Sequence, residues 1–100
     1  MDKYKIRINP EAANDLEDIV DYLAARSEEV ALKYYDLLVD CINSLSEMPT
    51  RCPYAKDTQL RLRGYRTLFV KNYIVFYVIS GKTVEVFRIL YARRQYEGLL

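Results

Sequence analysis

The sequence predicts an α+β domain, in the order β-α-α-β-β-β, with a helical hairpin packed on one face of a mainly antiparallel four-stranded sheet. Three observations predict it. A two-residue apolar period at the start gives way to a helical period that runs to about Met48. The strand period returns after residue 60. The links within that last part are short and carry Asn or Gly, which favours hairpins. One hundred residues with about half apolar make one domain, 1–100, with a modest core.

Tyr4, Ile6 and Ile8 alternate with Lys5 and Arg7, as in a strand with one buried face. Asn9-Pro10 then opens a helix, with Asn9 suited to the cap, Pro10 to the first helical position and Glu11 to the positive helix end. Ala12, Leu16, Ile19, Val20 and Leu23 form its apolar stripe, and the helix is expected to end near Arg26. Ser27-Glu28-Glu29-Val30 caps a second helix, whose stripe of Ala31, Tyr34, Leu38, Cys41, Ile42 and Leu45 reaches about Met48. Pro49 and Pro53 mark a loop over about 48–59. Strands are expected over Leu60–Val70, Tyr73–Ile79 and Thr83–Tyr91, followed by a short basic tail.

Charge divides at the loop. Residues 1–56 carry seven Lys/Arg against eleven Asp/Glu, and residues 57–100 carry eight against three, so the overall +1 hides an acidic helical half and a basic strand half. An anionic partner suits the second. The chain has no histidine, which excludes Ser-His-Asp and Cys-His catalysis and most zinc sites. Cys41 and Cys52 lack metal-like spacing and are read as reduced thiols. Asp15, Asp18, Asp21, Glu28 and Glu29 scatter around the helices and are read as a solvated face, so neither metal nor other cofactor is expected. No stretch approaches the roughly 18 apolar residues of a membrane span, and a cytoplasmic location is expected.

The segment Tyr73-Ile74-Val75-Phe76-Tyr77-Val78-Ile79 carries no charge, so both of its faces are apolar. Two helices cover one sheet face only, and the other is expected to await the C-terminal tail, a second subunit or a partner. Arg61, Arg63, Arg66, Arg88, Arg93 and Arg94 lie on or beside the flanking strands, interleaved with Tyr65, Tyr91 and Tyr96. Guanidinium forks match phosphate oxygens and aromatic faces stack on bases, which suits nucleic acid or another polyanion. The competing reading of any one arginine is an internal ion pair with the acidic helices, Glu85 or Glu97.

In Gly64-Tyr65-Arg66-Thr67-Leu68-Phe69-Val70, Asn72-Tyr73-Ile74-Val75-Phe76-Tyr77-Val78 and Val86-Phe87-Arg88-Ile89-Leu90-Tyr91-Ala92-Arg93-Arg94, and in the opening Ile8-Asn9-Pro10-Glu11-Ala12, the chain resembles the RelE/ParE superfamily of toxins from type II toxin-antitoxin modules. The resemblance covers essentially the whole chain. It implies the RelE/ParE-like fold and a toxin of the plasmid-stabilisation type, neutralised by a cognate antitoxin. That antitoxin would lie over Ile74, Phe76 and Val78, in a homodimer or a toxin-antitoxin heterotetramer.

RelE-like members cleave ribosome-bound mRNA and ParE-like members poison DNA gyrase. For a metal-independent ribonuclease, the resemblance matches Arg66 and Arg94 to phosphate-binding positions, with Tyr96 the nearest candidate for the C-terminal residue that acts in proton transfer or base stacking. The cleaving members place an arginine directly after the middle strand's aromatic, where this chain has Ile74 after Tyr73. Inhibition of gyrase is therefore favoured over ribonuclease activity, with a degenerate toxin fold surviving as an interaction module as the third reading.

Overall fold

A computed structural model describes residues 3–93 and residue 100. Strand β1 (Lys5–Ile8) leads into helices α1 (Pro10–Ala24) and α2 (Glu28–Asn43), a short helix α3 (Thr58–Leu62), and strands β2 (Arg66–Val70), β3 (Tyr73–Ser80) and β4 (Thr83–Tyr91). The sheet order is β1-β4-β3-β2; β1 runs parallel to β4 and the other pairs are antiparallel. The parallel pair follows from connectivity, because β1 must cross over the helical hairpin before its partner appears.

Local chemistry explains the boundaries. Asn9 occupies the cap of α1 with extended backbone and Pro10 begins the helix, although the Asn9 side chain makes no capping bond. Ser27 Oγ accepts from Val30 N at 3.3 Å and caps α2. Gly81, at φ +60°, supplies the left-handed residue of the two-residue β3–β4 connection.

Residues Leu60–Gly64 depart from the strand that their sequence predicts. Asp57 Oδ1 accepts from Leu60 N at 3.0 Å, starting α3. The helix then stops in a Schellman closure: Tyr65 N donates to Leu60 O at 3.0 Å and Gly64 N to Arg61 O at 2.9 Å, with Gly64 at φ +86°. Leu60 and Tyr65, the apolar pair that accompanies such a closure, fall in one buried cluster. Capping chemistry at both ends outweighs an ambiguous apolar period.

Two apolar layers flank the sheet. Val75 and Tyr77 of β3, with Val84, Val86 and Ile89 of β4, pack against Ala12 of α1 and against Leu38, Ile42 and Leu45 on the α2 side. On the opposite face, Ile74, Phe76 and Leu90 pack with Ala55, Leu60 and Tyr65, and Val78, Phe87, Ala92 and Leu100 adjoin them. Each large apolar side chain so buried contributes about 1.5–3 kcal/mol. The second face is thus covered by the chain's own segment 55–65, which corrects the expectation of an open one. Ile74 is 3% exposed and Phe76 fully buried, so neither is available to an antitoxin, and Val78 is partly covered.

Asp15 also departs from expectation, lying buried instead of on a solvated face. The β3–β4 register shifts at Phe76/Tyr77, where Phe76 pairs with Arg88 and Tyr77 with Val86, leaving Phe87 as the extra residue of a bulge. β1 reaches only Val86, so among the described residues the outer edge of β4 beyond it has no strand partner. Asp15 fills that role: its carboxylate accepts from Arg88 Nε at 2.7 Å, from Arg88 Nη2 at 2.8 Å and from Ile89 N at 2.9 Å. The two side chains are only 10% and 15% exposed. Hydrogen bonding to Asp15 raises the pKa of Arg88 against the opposing effect of burial. Arg88 is therefore an internal strut, which corrects its assignment to a polyanion-binding surface.

Removing one partner of such a pair strands a buried charge. In urea unfolding, Asp15→Ala and Arg88→Met should each cost ~3–5 kcal/mol. Asp15→Leu with Arg88→Met together should lose only ~1–3 kcal/mol, the share of the orphaned Ile89 N–H. Single variants within about 0.5 kcal/mol of the parent would contradict this placement.

Candidate functional site

The basic rim is organised by the segment between α2 and β2. Two short 3₁₀ turns, Ser44–Ser46 and Pro49–Arg51, follow α2. Arg51 gathers their carbonyls, donating from Nη1 to Glu47 O at 2.7 Å and from Nη2 to Ser44 Oγ at 2.7 Å. A guanidinium is well placed there, at the negative end of the helix. From the sheet side, the Tyr77 hydroxyl donates to Pro49 O at 2.5 Å. Burial, followed by the neighbouring Cys52 thiol, pushes the Tyr77 phenol well above its ordinary 10.0, outweighing the guanidiniums of Arg66 and Arg51. Cys41 and Cys52 are both free thiols.

Arg66 fastens the loop to β2. Its Nη1 donates to Cys52 O at 2.7 Å and to Thr50 O at 3.2 Å, and its guanidinium carbon lies 3.9 Å from the centre of the Tyr54 ring. Backbone bonds from Ala55 N to Tyr65 O and from Thr67 N to Pro53 O complete the seam, with a bridge between Tyr54 and Arg66. The remaining nitrogens of Arg66, Nε and Nη2, make no hydrogen bond among the described residues and face no carboxylate there, so the group keeps donors for an anion. The stack on Tyr54 joins residues on a loop and a strand, and no local spacing in the sequence announces it.

Arg61 and Arg63 are exposed on and just after α3, and Arg93 is exposed just after β4; none forms an ion pair among the described residues. Arg94 and Tyr96 lie outside the described residues. Tyr65 is buried and edge-on to Phe87, 5.4 Å between ring centres, so it belongs to the core and not to an interleaved aromatic surface. Where the second sheet face does open, a cavity of about 310 Å³ is lined by Tyr54, Lys56, Thr67, Phe69, Ile74 and their neighbours. Phe69 there is 62% exposed. Lys56 and Phe69 escaped the sequence reading because only the fold brings loop and strand together.

Chemically, this rim can hold anions. The position after Tyr73 is the buried Ile74, and no grouping of metal-ligating side chains occurs among the described residues. None of the described helices is long and apolar enough to cross a membrane.

A helical hairpin laid on a β1-β4-β3-β2 sheet, with a cationic segment clasping the sheet's far face, is the architecture of a small RelE/ParE-type toxin. The family model described as the ParE toxin of the type II toxin-antitoxin system parDE matches residues 6–96, and the chain belongs to that family. Among solved structures it is similar to a chain of the chromosomal ParDE toxin-antitoxin system from P. aeruginosa. The TM-score is 0.76 at 22% identity, over 91% of this chain and 98% of that one. It is also similar to a chain of the RelBE2 toxin-antitoxin complex from Mycobacterium tuberculosis, at TM-score 0.60 and 22% identity, over 91% and 93%. Among curated proteins, none matches the sequence significantly.

The raised Tyr77 phenol fixes a pH dependence. A group whose pKa is higher in the folded than in the unfolded state contributes stability in full below the unfolded value, and loses it as pH rises towards the folded one. Stability should accordingly fall above about pH 10, the ordinary value for this phenol. Tyr77→Phe should flatten that alkaline decline and cost ~1–2 kcal/mol near neutrality, through the unpaired Pro49 carbonyl. Urea midpoints across pH 8–11 measure both effects, and an alkaline slope unchanged by the substitution would contradict the assignment.

Proposed function

We propose that this protein arrests growth by binding and inhibiting DNA gyrase, and that a cognate antitoxin holds it inactive. Membership of the ParE toxin family supports the first part. The observation that carries it is the middle strand: Ile74 is buried where a ribonuclease of this superfamily needs a cation. Removing charge stabilisation from a phosphoryl transition state costs several kcal/mol, so a chain lacking it is better suited to binding than to cleavage. The exposed guanidiniums of Arg61, Arg63 and Arg93, with the free donors of Arg66, supply a surface for the target.

The antitoxin reading is supported by the two similar structures, which are described as toxin-antitoxin systems. With Ile74 and Phe76 buried, one apolar surface left for it lies on the helical hairpin. Tyr35 of α2 lines a groove of about 300 Å³ with Ala13, Leu16 and Val20 of α1, and Leu32 is exposed one turn before it on α2. A segment that folds on binding could lay an apolar face there.

Purified protein should block supercoiling of relaxed plasmid by gyrase. Replacing Arg61, Arg63 and Arg93 together by Ala should raise the half-inhibitory concentration about tenfold, or about 1.4 kcal/mol, without lowering thermal stability. Normal supercoiling combined with cleavage of ribosome-bound transcripts would overturn the gyrase reading in favour of ribonuclease activity. Normal supercoiling with intact transcripts and unimpaired growth would favour a degenerate toxin fold.

A further inference from the structure

Between the helical hairpin and the end of the sheet lies a second cavity, of about 490 Å³, that the toxin reading does not use. Tyr22 of α1, Tyr34 of α2, Tyr73 of β3 and Tyr91 of β4 line it, together with Asp18 and Asn72. Tyr73 forms the floor at 8% exposure, and Tyr22 and Tyr91 stand at the mouth at 57% and 42%. The rings do not stack flat. Tyr34 and Tyr73 lie 6.1 Å apart between centres at 83°, and Tyr73 and Tyr91 lie 5.8 Å apart at 68°, so the walls present both faces and edges.

From this arrangement we infer that the cavity receives one basic side chain, arginine or lysine, from a protein partner. Aromatic faces are electron-rich and attract a cation set over them. Asp18 adds a full negative charge; its carboxylate accepts from Asn14 Nδ2 at 3.3 Å and has no cationic partner among the described residues. Among the described residues, no lysine or arginine lines the cavity. The chain shows the affinity on its own surface, where the Arg26 guanidinium carbon lies 5.2 Å from the centre of the Tyr22 ring. A long side chain with an apolar stem and a charged head matches a pocket with a greasy, partly open mouth and an acidic wall. The surrounding helical half, with its excess of carboxylates, draws a basic segment towards it. The inference is independent of the gyrase reading, since it concerns the opposite charge and a different surface.

The test is an NMR titration of the intact protein with N-acetyl-arginine amide, following the tyrosine ring resonances. Its neutral isostere N-acetyl-citrulline amide and the small cation choline serve as comparisons. Saturable shifts centred on Tyr34, Tyr73 and Tyr91 are expected, with the citrulline probe about fivefold weaker or worse and choline weaker than the arginine probe. Asp18→Asn, at an exposed position that leaves the fold intact, should weaken the arginine probe by about fivefold. Equal binding of citrulline, shifts centred elsewhere, or an unchanged affinity in Asp18→Asn would overturn the inference. Tighter binding of choline would assign the cavity to a small quaternary ammonium ligand instead. Binding seen only in Arg26→Ala would mean that the chain fills the cavity itself, and would equally overturn it.

Discussion

The Asp15 carboxylate holds the two layers of this protein in register. β1 is four residues long and, among the described residues, leaves the outer edge of β4 without a strand after Val86. An edge left unpaired against a packed helix would bury an orphan N–H. Asp15 accepts that N–H from Ile89 while gripping the Arg88 guanidinium with both oxygens, so one side chain of α1 substitutes for the missing strand. The bulge at Phe87 resets the alternation of β4 at the same point. Position along α1, and with it the packing of the hairpin on Val75, Tyr77 and Ile89, follows from that anchor.

A second constraint works on the far face. The chain seals its middle strand with the 55–65 segment, which backbone bonds from Ala55 N to Tyr65 O and from Thr67 N to Pro53 O tie to the start of β2. What stays exposed lies at the periphery of the sheet and not at its centre. Cations remain on and around α3 and after β4, apolar side chains remain on the hairpin, and tyrosines line the cleft at the sheet's end. Three surfaces of different chemistry on one small domain fit a protein whose work is to engage partners.

Much of the fold was legible because it is written in local periods. The first strand, the Asn9-Pro10 opening, the Ser27 cap and the Gly81 turn all appear where the residues place them, although Ile8 is exposed where the alternation would bury it. Leu60 to Gly64 misled because a short apolar period fits strand and helix equally; Asp57 as a cap and Gly64 as a stop were the signals that decided it. Asp15 was illegible for a different reason. It stands on the side of Ala12 and Ile19, but its charge argues for solvent and its partner lies 73 residues away. The covering of Ile74 and Phe76 was hidden likewise, since it depends on a loop folding back across the sheet, and loops carry no period. Of the candidate arginines among the described residues, only Arg88 proved to be internal, as the competing ion-pair reading allowed, and Arg66 took a mixed role that charge counting cannot reveal.

Native-state hydrogen exchange at the Ile89 amide tests the central constraint most directly. If Asp15 completes the edge of β4, this amide exchanges only through global unfolding, as slowly as the central amides of β3, although no strand lies beyond it. Exchange at the rate of an open sheet edge, with the β3 amides still protected, would contradict that role and loosen the link between the helical layer and the sheet.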